Sequence, residues 1–286
     1  MSATLLEGKV IADKLKDAIK GEVSALKAKY NRAPKLAALQ IGENASSAVY
    51  AKAQKRIADL LGIEYDLRTI SGTISQAGAE NLVKELNNDG SVTAIILQLP
   101  VPKIIDAKKL INLISPLKDA EGMTLENLGR IISGQYRIAP CTAMAVMELL
   151  GSTKADLYGK EAVVVGHSEI VGKPIALMLL NKFATTTVCH IATGERGVLS
   201  EHVKRAEILI TAVGKAGIIK GDWIKEKAIV IDVGINKVGE KIVGDVDFDA
   251  ASRRASYITP VPGGVGPLTT TILMRNTLEL FKAGLK

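Results

Sequence analysis

Apolar residues in the first half of the chain recur alternately at helical spacing and in short continuous runs. A first helix is predicted by six apolar residues at helical spacing: Val10, Ile11, Leu15, Ile19, Val23 and Leu26. Further helices are predicted at 45–61, 75–89 and 107–114, and strands at 35–42, 64–70 and 92–100. Strands that alternate with helices are typical of a mainly parallel sheet covered by helices. The first half is therefore predicted to be an α/β domain.

The second half repeats this alternation around a glycine-containing turn. Residues 161–180, "EAVVVGHSEIVGKPIALMLL", predict a strand, a tight turn and a helix. Four more strands are predicted at 185–190, 206–213, 228–234 and 256–260. A helix at 141–151 would connect the halves, so we place the boundary near residue 139 and expect domains at 1–138 and 139–266. The last segment, 267–286, predicts a helix whose apolar face docks back on the first domain.

Composition excludes several classes of protein. The chain has 286 residues and 47% apolar content, which is enough for two ordinary cores. Its net charge is +7, but lysines alternate with acids along helix faces and aromatic residues are few, so we predict no nucleic-acid partner. Two cysteines and three histidines predict neither a disulfide framework nor a metal site. Without a signal-peptide core or a run of about 18 apolar residues, we expect no membrane association and a cytoplasmic location.

The turn after the strand at 161–165 has the features of a dinucleotide site. Gly166, Ser168 and Gly172 lead from this strand into a helix, whose N-terminus presents backbone amides and a positive dipole end to a pyrophosphate. Ser168 stands where the common G-x-G-x-x-G pattern has its second glycine, so the turn alone indicates either a nucleotide site or a structural βα turn. Glycines ending the strands near 214 and 234 favour the nucleotide site. The spacing leaves the choice between NAD and NADP open.

Five motifs, taken together and in this order, carry a resemblance to a known family. They are "ILQLPVP", "GHSEIVGKP", "DVGIN", "GDVDF" and "TPVPGGVGPLT". In these motifs the chain closely resembles the methylenetetrahydrofolate dehydrogenase/cyclohydrolase family, over essentially its whole length. The resemblance implies an N-terminal α/β folate-binding catalytic domain and a C-terminal Rossmann-like domain with a parallel sheet. It also implies a nicotinamide cofactor, a tetrahydrofolate derivative bound between the domains, and a homodimer.

Site residues are carried over from the family position by position. The resemblance implies catalytic roles for Tyr50, Gln54, Gln98 and Glu121. It implies that the folate contacts Tyr50, Gln98, Leu99, Pro100, Glu121, Pro262 and Gly263. The cofactor would be lined by Gly166, His167, Ser168, Ile170, Val171, His190, Ala212, Gly214 and Ile235. NADP is the cofactor that the resemblance implies, with NAD left open because His167 and "HIAT" at 190–193 stand where a basic residue often meets the 2′-phosphate.

The helix that carries Tyr50 departs from the family pattern at one decisive position. The family usually has a lysine four residues after this tyrosine, on the same helix face, whereas this chain has Gln54. Lys52 and Lys55 point away from Tyr50 around the helix. Hydride loss from a carbon between two nitrogens needs no protein base, but hydrolysis of the methenyl cation requires protons to be moved. We therefore predict that dehydrogenase activity is retained and that cyclohydrolase activity is weak or lost.

Further departures lie in the segments around 121 and 143. The usual K-D-V-D-G-F-H-P is "KDAEGMTLEN" here, so Glu121 replaces the pterin-binding aspartate, and the usual P-C-T-P-x-G is "PCTAMA". The leading hypothesis is an oxidoreductase of one-carbon metabolism that acts on a CH–NH donor. The alternatives are a dehydrogenase for another reduced pterin, or a folate- or nucleotide-binding sensor without turnover.

Overall fold

The computed structural model describes residues 2–285, except for the side chains at positions 45 and 46. The strands are β1 (Thr4–Leu5), β2 (Lys35–Ile41), β3 (Glu64–Ile70), β4 (Ala94–Leu97), β5 (Glu161–Val165), β6 (Thr185–Cys189), β7 (Ile208–Thr211), β8 (Ile229–Asp232), β9 (Asn236–Val238), β10 (Lys241–Val243) and β11 (Tyr257–Ile258). The helices are α1 (Gly8–Tyr30), α2 (Ala45–Leu61), α3 (Gln76–Asn88), α4 (Ala107–Leu113), α5 (Leu125–Ile132), α6 (Cys141–Ser152), α7 (Gly172–Leu180), α8 (Ile191–Glu195), α9 (Leu199–Arg205), α10 (Phe248–Ala251) and α11 (Gly266–Gly284). A short 3-10 helix spans Gly221–Trp223.

Two compact units make up the chain. The N-terminal unit comprises Lys14–Arg130, Tyr136–Cys141 and Thr270–Lys286. The C-terminal unit comprises Met1–Asp13, Ile131–Gln135 and Thr142–Thr269. The C-terminal unit thus includes the start of the chain, because β1 pairs with β11, and most of α11 groups with the N-terminal unit.

The N-terminal unit is built on a parallel three-stranded sheet in the order β3–β2–β4. The central strand β2 is apolar except for Lys35 and Gln40, and six of its seven residues are buried because it is covered on both faces. Helix α3 packs against this sheet through Ala79, Val83 and Leu86, whose spacing puts them on one face. Ser75 begins the helix by accepting a hydrogen bond from the Gly78 amide at 3.1 Å.

The C-terminal unit contains a six-stranded sheet in the order β1–β11–β8–β7–β5–β6, with every pair parallel. After β5 the chain adds β6 on one side and then returns to add β7 on the other. This reversal of strand order makes a topological switch point between β5 and β7, where the carboxyl ends of the two strands leave a crevice. Ligands of doubly wound sheets bind at this kind of crevice, so the loops after these two strands are the expected ligand-binding region.

The α/β class and the predicted strands and helices are confirmed, including the parallel sheet of the second half. The prediction missed the two-residue strand β1, the antiparallel hairpin β9–β10, and the helices α5, α8, α9 and α10. The strands β1, β9 and β10 and the helices α8 and α10 are too short to show a helical or alternating period, and the pairing of β1 with β11 joins residues more than two hundred positions apart. Among residues 2–285, no helix is both long and apolar enough to cross a membrane.

Candidate functional site

Helix α2 presents Tyr50 and Gln54 one turn apart, and its N-terminus is tied to the segment after β4. The Ser47 hydroxyl donates to the Leu99 carbonyl oxygen at 2.9 Å, and the Ser47 amide donates to Asn44 Oδ1 at 3.2 Å. Because Leu99 directly follows Gln98, this contact sets α2 against the end of β4. Sequence reasoning missed Ser47, because the carbonyl oxygen to which it donates is 52 positions away and no local pattern marks it.

The Gln54 cluster is formed by two buried glutamines, Gln54 and Gln98, and the half-buried Tyr65. Gln54 is 0% exposed and Gln98 is 3% exposed. Gln54 Oε1 accepts one hydrogen bond from the Tyr65 hydroxyl at 2.7 Å and another from Gln98 Nε2 at 2.7 Å. Gln54 Nε2 is enclosed and makes no hydrogen bond within residues 2–285. The carbonyl oxygen of Gln54 thus uses both of its acceptor positions on neighbouring side chains.

Tyr50 is 42% exposed, with its hydroxyl end among protein groups. Burial is the main cause that raises the pKa of Tyr50 to about 12, and the nearby Cys141 and Glu121 act in the same direction. A side-chain hydrogen bond with Thr270 opposes this rise. At neutral pH, Tyr50 is therefore a neutral hydroxyl that can donate or accept a hydrogen bond and does not act as a base.

Glu121 is half-buried at the start of a tight loop that Asp119 organises. Asp119 Oδ1 accepts from the Gly122 amide at 2.9 Å, and Oδ2 accepts from the Thr124 amide at 2.8 Å and from Asn127 Nδ2 at 2.9 Å. Burial, followed by the charge of Asp119, raises the pKa of Glu121 to about 8. Glu121 is therefore mostly protonated at neutral pH, so its carboxyl group can donate as well as accept a hydrogen bond.

Helix α11 supports the same loop from behind. Asn276 Nδ2 donates to the Ala120 carbonyl oxygen at 2.9 Å, and Cys141 Sγ lies 3.7 Å from that oxygen. Gly122 has φ +70°, and a Cβ there would lie 2.4 Å from the Ala139 backbone. The loop is consequently held on both sides, which fixes the backbone from which Glu121 projects.

Neither lysine near Gln54 replaces the missing cation. Lys55 Nζ lies 2.9 Å from both carboxylate oxygens of Asp59, and its side chain is 57% exposed. Lys52 is also exposed. Position 54 therefore provides a neutral amide, and no lysine of α2 enters the Gln54 cluster.

In the C-terminal unit, the turn after β5 requires glycine at two positions. Gly166 has φ +129°, and a Cβ there would lie 2.5 Å from the Ala212 carbonyl oxygen. A Cβ at Gly172 would lie 2.0 Å from the Gly166 carbonyl oxygen. Ser168 Oγ accepts from the Val171 amide at 3.1 Å at the start of α7. The turn is therefore a close-packed glycine cradle at the switch point, with a serine hydroxyl at the helix N-terminus.

Asp245 holds the loop that follows β7. Its Oδ2 accepts from the amides of Val213 at 2.7 Å and Gly214 at 3.2 Å, and its Oδ1 accepts from the Lys215 amide at 2.8 Å. Asn236 Nδ2 also donates to Oδ1, at 3.0 Å. One buried carboxylate therefore positions three consecutive amides beside the switch point.

Asp232 makes a second buried carboxylate at the end of β8. Its Oδ1 accepts from the amides of Gly234 at 2.9 Å and Asp245 at 3.1 Å, and its Oδ2 accepts from the Val246 amide at 2.8 Å. Burial raises the pKa of Asp232 above its ordinary value. Sequence reasoning missed both aspartates as positioning residues, although they stand in the motifs "DVGIN" and "GDVDF" beside apolar strands.

Two imidazoles lie at the ends of β5 and β6. The rings of His167 and His190 are 5.2 Å apart between centroids. His190 also lines a cavity of about 680 Å³ together with Lys215 and Trp223. Ile170 and Ile235 are 42% and 68% exposed after β5 and β8, so apolar surface is available at this edge of the sheet. The end of the strand next to the first glycine turn is where the adenosine ribose is recognised in Rossmann folds.

The predicted folate residues fall in both units. In the N-terminal unit, Gln54 and Gln98 are hydrogen-bonded, Glu121 acts electrostatically on Tyr50, and Leu99 and Pro100 are exposed directly after Gln98. In the C-terminal unit, Pro262 is exposed, and Gly263, with φ +117°, accepts from the Gly8 amide at 2.9 Å. The predicted cofactor residues all lie in the C-terminal unit, after β5, β6, β7 and β8. The roles assigned to these residues remain predictions.

The doubly wound parallel sheet, the glycine cradle at its switch point and the polar cluster of the other unit define a two-domain α/β protein of the dinucleotide-binding class. The sequence model for the tetrahydrofolate dehydrogenase/cyclohydrolase catalytic domain matches residues 6–121, and that for the NAD(P)-binding domain of the same family matches residues 140–285. The chain belongs to the tetrahydrofolate dehydrogenase/cyclohydrolase family.

Relatives extend over nearly the whole chain. Bifunctional protein FolD 2 of Geobacter metallireducens is 48% identical over 281 residues, covering 98% of this chain and 97% of its own. A crystal structure of the bifunctional FolD enzyme from Campylobacter jejuni is 40% identical, with a TM-score of 0.95 over 99% of both chains. The Trypanosoma brucei FolD structure, in complex with NADP and an inhibitor, is 36% identical, with a TM-score of 0.93 over 100% of this chain and 99% of that one.

Proposed function

We propose that the protein is a methylenetetrahydrofolate dehydrogenase that interconverts 5,10-methylene- and 5,10-methenyltetrahydrofolate, and that its cyclohydrolase activity is weak or lost. Membership of the family and a well-formed glycine cradle at Gly166 and Gly172 support the dehydrogenase. One observation supports retained dehydrogenase activity with weak or lost cyclohydrolase activity. It is the neutral Gln54 amide, which is enclosed between Tyr65 and Gln98 where the family usually has a lysine.

Hydride transfer makes modest demands on these side chains. The carbon that loses the hydride lies between two nitrogens whose lone pairs stabilise the cation formed, so the protein has chiefly to hold and orient the pterin. Tyr50, Gln98 and Glu121 supply neutral hydrogen-bonding groups for that purpose. When bound, the oxidised nicotinamide accepts the hydride; the cradle at Gly166, the hydroxyl of Ser168 and the loop at Gly214 would hold this cofactor.

Hydrolysis makes a greater demand because protons have to move. Water adds to the methenyl carbon and loses a proton, and a C–N bond then breaks as its nitrogen gains one. A carboxamide cannot take a proton near neutral pH, so Gln54 cannot serve as the base. Among the four proposed catalytic residues, Glu121, with its pKa of about 8, changes its protonation nearest neutrality. Any residual hydrolysis should therefore follow the protonation of Glu121.

NADP is the cofactor we propose, and NAD is the alternative that the assay decides. His190 follows β6, the strand whose end recognises the ribose in Rossmann folds, and the His167 ring lies 5.2 Å from it, which supports a role for both in contacting the 2′ position. A related structure from Trypanosoma brucei contains NADP. Imidazoles provide weaker and more pH-sensitive recognition of a phosphate than a guanidinium group does.

We also propose a cytoplasmic homodimer without a nucleic-acid partner. Tyr158 and Phe183 are 72% and 71% exposed, and their rings lie 5.7 Å apart. Strand β6, which begins two residues after Phe183, is at the edge of the six-stranded sheet. An aromatic pair beside an open sheet edge is typical of a surface that a second copy covers. Sedimentation of the purified protein as a monomer would contradict the dimer.

The test is a pair of assays on the purified protein. Methylenetetrahydrofolate is mixed with NAD or with NADP, and the near-ultraviolet absorbance of the reduced nicotinamide is followed. Loss of the methenyl compound is followed separately. We expect turnover in the first assay and little or none in the second. Equal rates in the two assays would contradict the predicted loss of cyclohydrolase activity. Turnover only with another reduced pterin would favour a dehydrogenase for that pterin. Tight folate binding without turnover would favour a folate-binding sensor.

A further inference from the structure

We propose that Tyr65 is a positioning residue that locks the Gln54 amide and that, together with Gln54, it blocks the hydrolase step. This inference rests on the proposed function. It adds a second residue, from another element of the fold, to the block assigned above to Gln54 alone.

The lock consists of two donors that converge on one oxygen atom. Tyr65 lies on β3, in register with Leu36 of the central strand β2, and its side chain is half-buried. Its hydroxyl and Gln98 Nε2 each lie 2.7 Å from Gln54 Oε1. The orientation of the Gln54 amide is assigned from these two donors, because an amide nitrogen at that point could accept neither hydrogen bond.

Both partners of Gln54 remain donors under ordinary conditions. Burial raises the pKa of Tyr65 above its usual value, so its hydroxyl keeps its proton. Gln98 has no titratable group, and its own backbone amide is held by the Leu39 carbonyl oxygen at 2.9 Å. The only acceptor atom of the Gln54 side chain is therefore saturated, while its Nε2 donor makes no hydrogen bond within the described residues. This is the opposite of the arrangement that proton abstraction requires.

The same arrangement opposes a cation at position 54. A lysine ammonium group has three donors and no acceptor, so it would meet the Tyr65 hydroxyl and Gln98 Nε2 with their protons pointing at it. Lysine also extends one bond further than glutamine into a position that is 0% exposed. For a lysine to fit, the Tyr65 proton would have to turn away and the Gln98 amide would have to flip. A lysine at position 54 alone is therefore not enough to restore full hydrolase activity.

The experiment compares the wild type with Gln54→Lys, Tyr65→Phe and the double variant. Tyr65→Phe removes one heavy atom, the hydroxyl oxygen, where the lysine needs room. We expect Gln54→Lys alone to hydrolyse the methenyl compound slowly and the double variant to exceed it by about tenfold or more, because the two positions are in direct contact. In the double variant, hydrolysis should also rise with pH as the buried lysine loses its proton.

Tyr65→Phe by itself separates positioning from general stability. Freeing one acceptor position of Gln54 lets its amide turn, so KM for the folate should rise by about threefold to tenfold, while KM for the dinucleotide, held by the other unit, stays constant. Tyr30→Phe, which removes the hydroxyl of an exposed tyrosine in the same unit, is the matched control and should change neither constant.

Equal hydrolysis by Gln54→Lys and the double variant would overturn the inference, as would an unchanged folate KM in Tyr65→Phe. The KM measurement decides the matter if the double variant does not fold. A wild type without dehydrogenase turnover would instead overturn the proposed function. In that case the lock is tested by the folate Kd, and equal values for Tyr65→Phe and Tyr30→Phe would overturn it.

Discussion

Glu121→Gln should remove a pH-dependent instability from the N-terminal unit. In the folded protein without ligand, burial and the charge of Asp119 raise the pKa of Glu121 from 4.5 to about 8. Ionisation of this carboxyl group is therefore less favourable in the folded chain than in the unfolded chain. Glutamine keeps nearly the same shape and cannot ionise, so the variant isolates the contribution of the charge.

The sign follows from a pKa that is raised in the folded state. Below about pH 4.5 the carboxyl is protonated in both states, and the wild type and the variant have similar stability. As the pH rises toward 8, the unfolded chain ionises first and the wild type loses stability. Each unit of pKa difference corresponds to about 1.4 kcal/mol, which sets an upper limit near 5 kcal/mol. Because Glu121 is only half-buried, solvent screening reduces the expected loss to about 2–3 kcal/mol.

Denaturant unfolding at several pH values between about 4 and 8 tests this. Circular dichroism follows the whole chain, and Trp223, the one tryptophan, reports on the C-terminal unit; together they show whether the units unfold in a single transition. Glu121→Gln should match the wild type near pH 4 and exceed it by about 2–3 kcal/mol near pH 8. Glu43→Gln makes the same charge change at an exposed position and should follow the wild type. If the free energy of unfolding of Glu121→Gln differed from that of the wild type by the same amount at every pH, the reasoning would be refuted.

Three further variants test the cofactor side of the proposal. Gly166→Ala places a Cβ 2.5 Å from the Ala212 carbonyl oxygen at φ +129°; we expect a loss of about 1–3 kcal/mol in stability and weaker dinucleotide binding, measured by calorimetry. Asp245→Asn turns an amide nitrogen toward the backbone donors of the loop after β7. It should raise the dinucleotide KM about tenfold or more and leave the folate KM unchanged. Equal changes in both KM values would contradict a positioning role for Asp245. His167→Asn should raise KM for NADP more than KM for NAD, and parallel shifts would contradict recognition of the 2′-phosphate.

Much of the fold follows from local pattern. The largely apolar sequence of β2 and the one-face spacing of Ala79, Val83 and Leu86 are properties of neighbouring residues, so local pattern predicts them. The glycine turn at 166–172 is equally local, because strand, turn and helix are contiguous. The spacing of four between Tyr50 and Gln54 likewise places them on one helix face without any tertiary information.

The partners of those residues were decided by tertiary structure alone. Tyr65 reaches Gln54 from a strand, Asp245 holds a loop some thirty residues earlier, and the pKa of Glu121 depends on its burial and on Asp119. Hydrogen bonding and desolvation act over a few ångströms in space, and no period in the sequence encodes which distant elements come that close. The sequence by itself determined the longer strands and helices, the family and the missing cation at position 54. Only the folded chain decided what encloses the glutamine at that position.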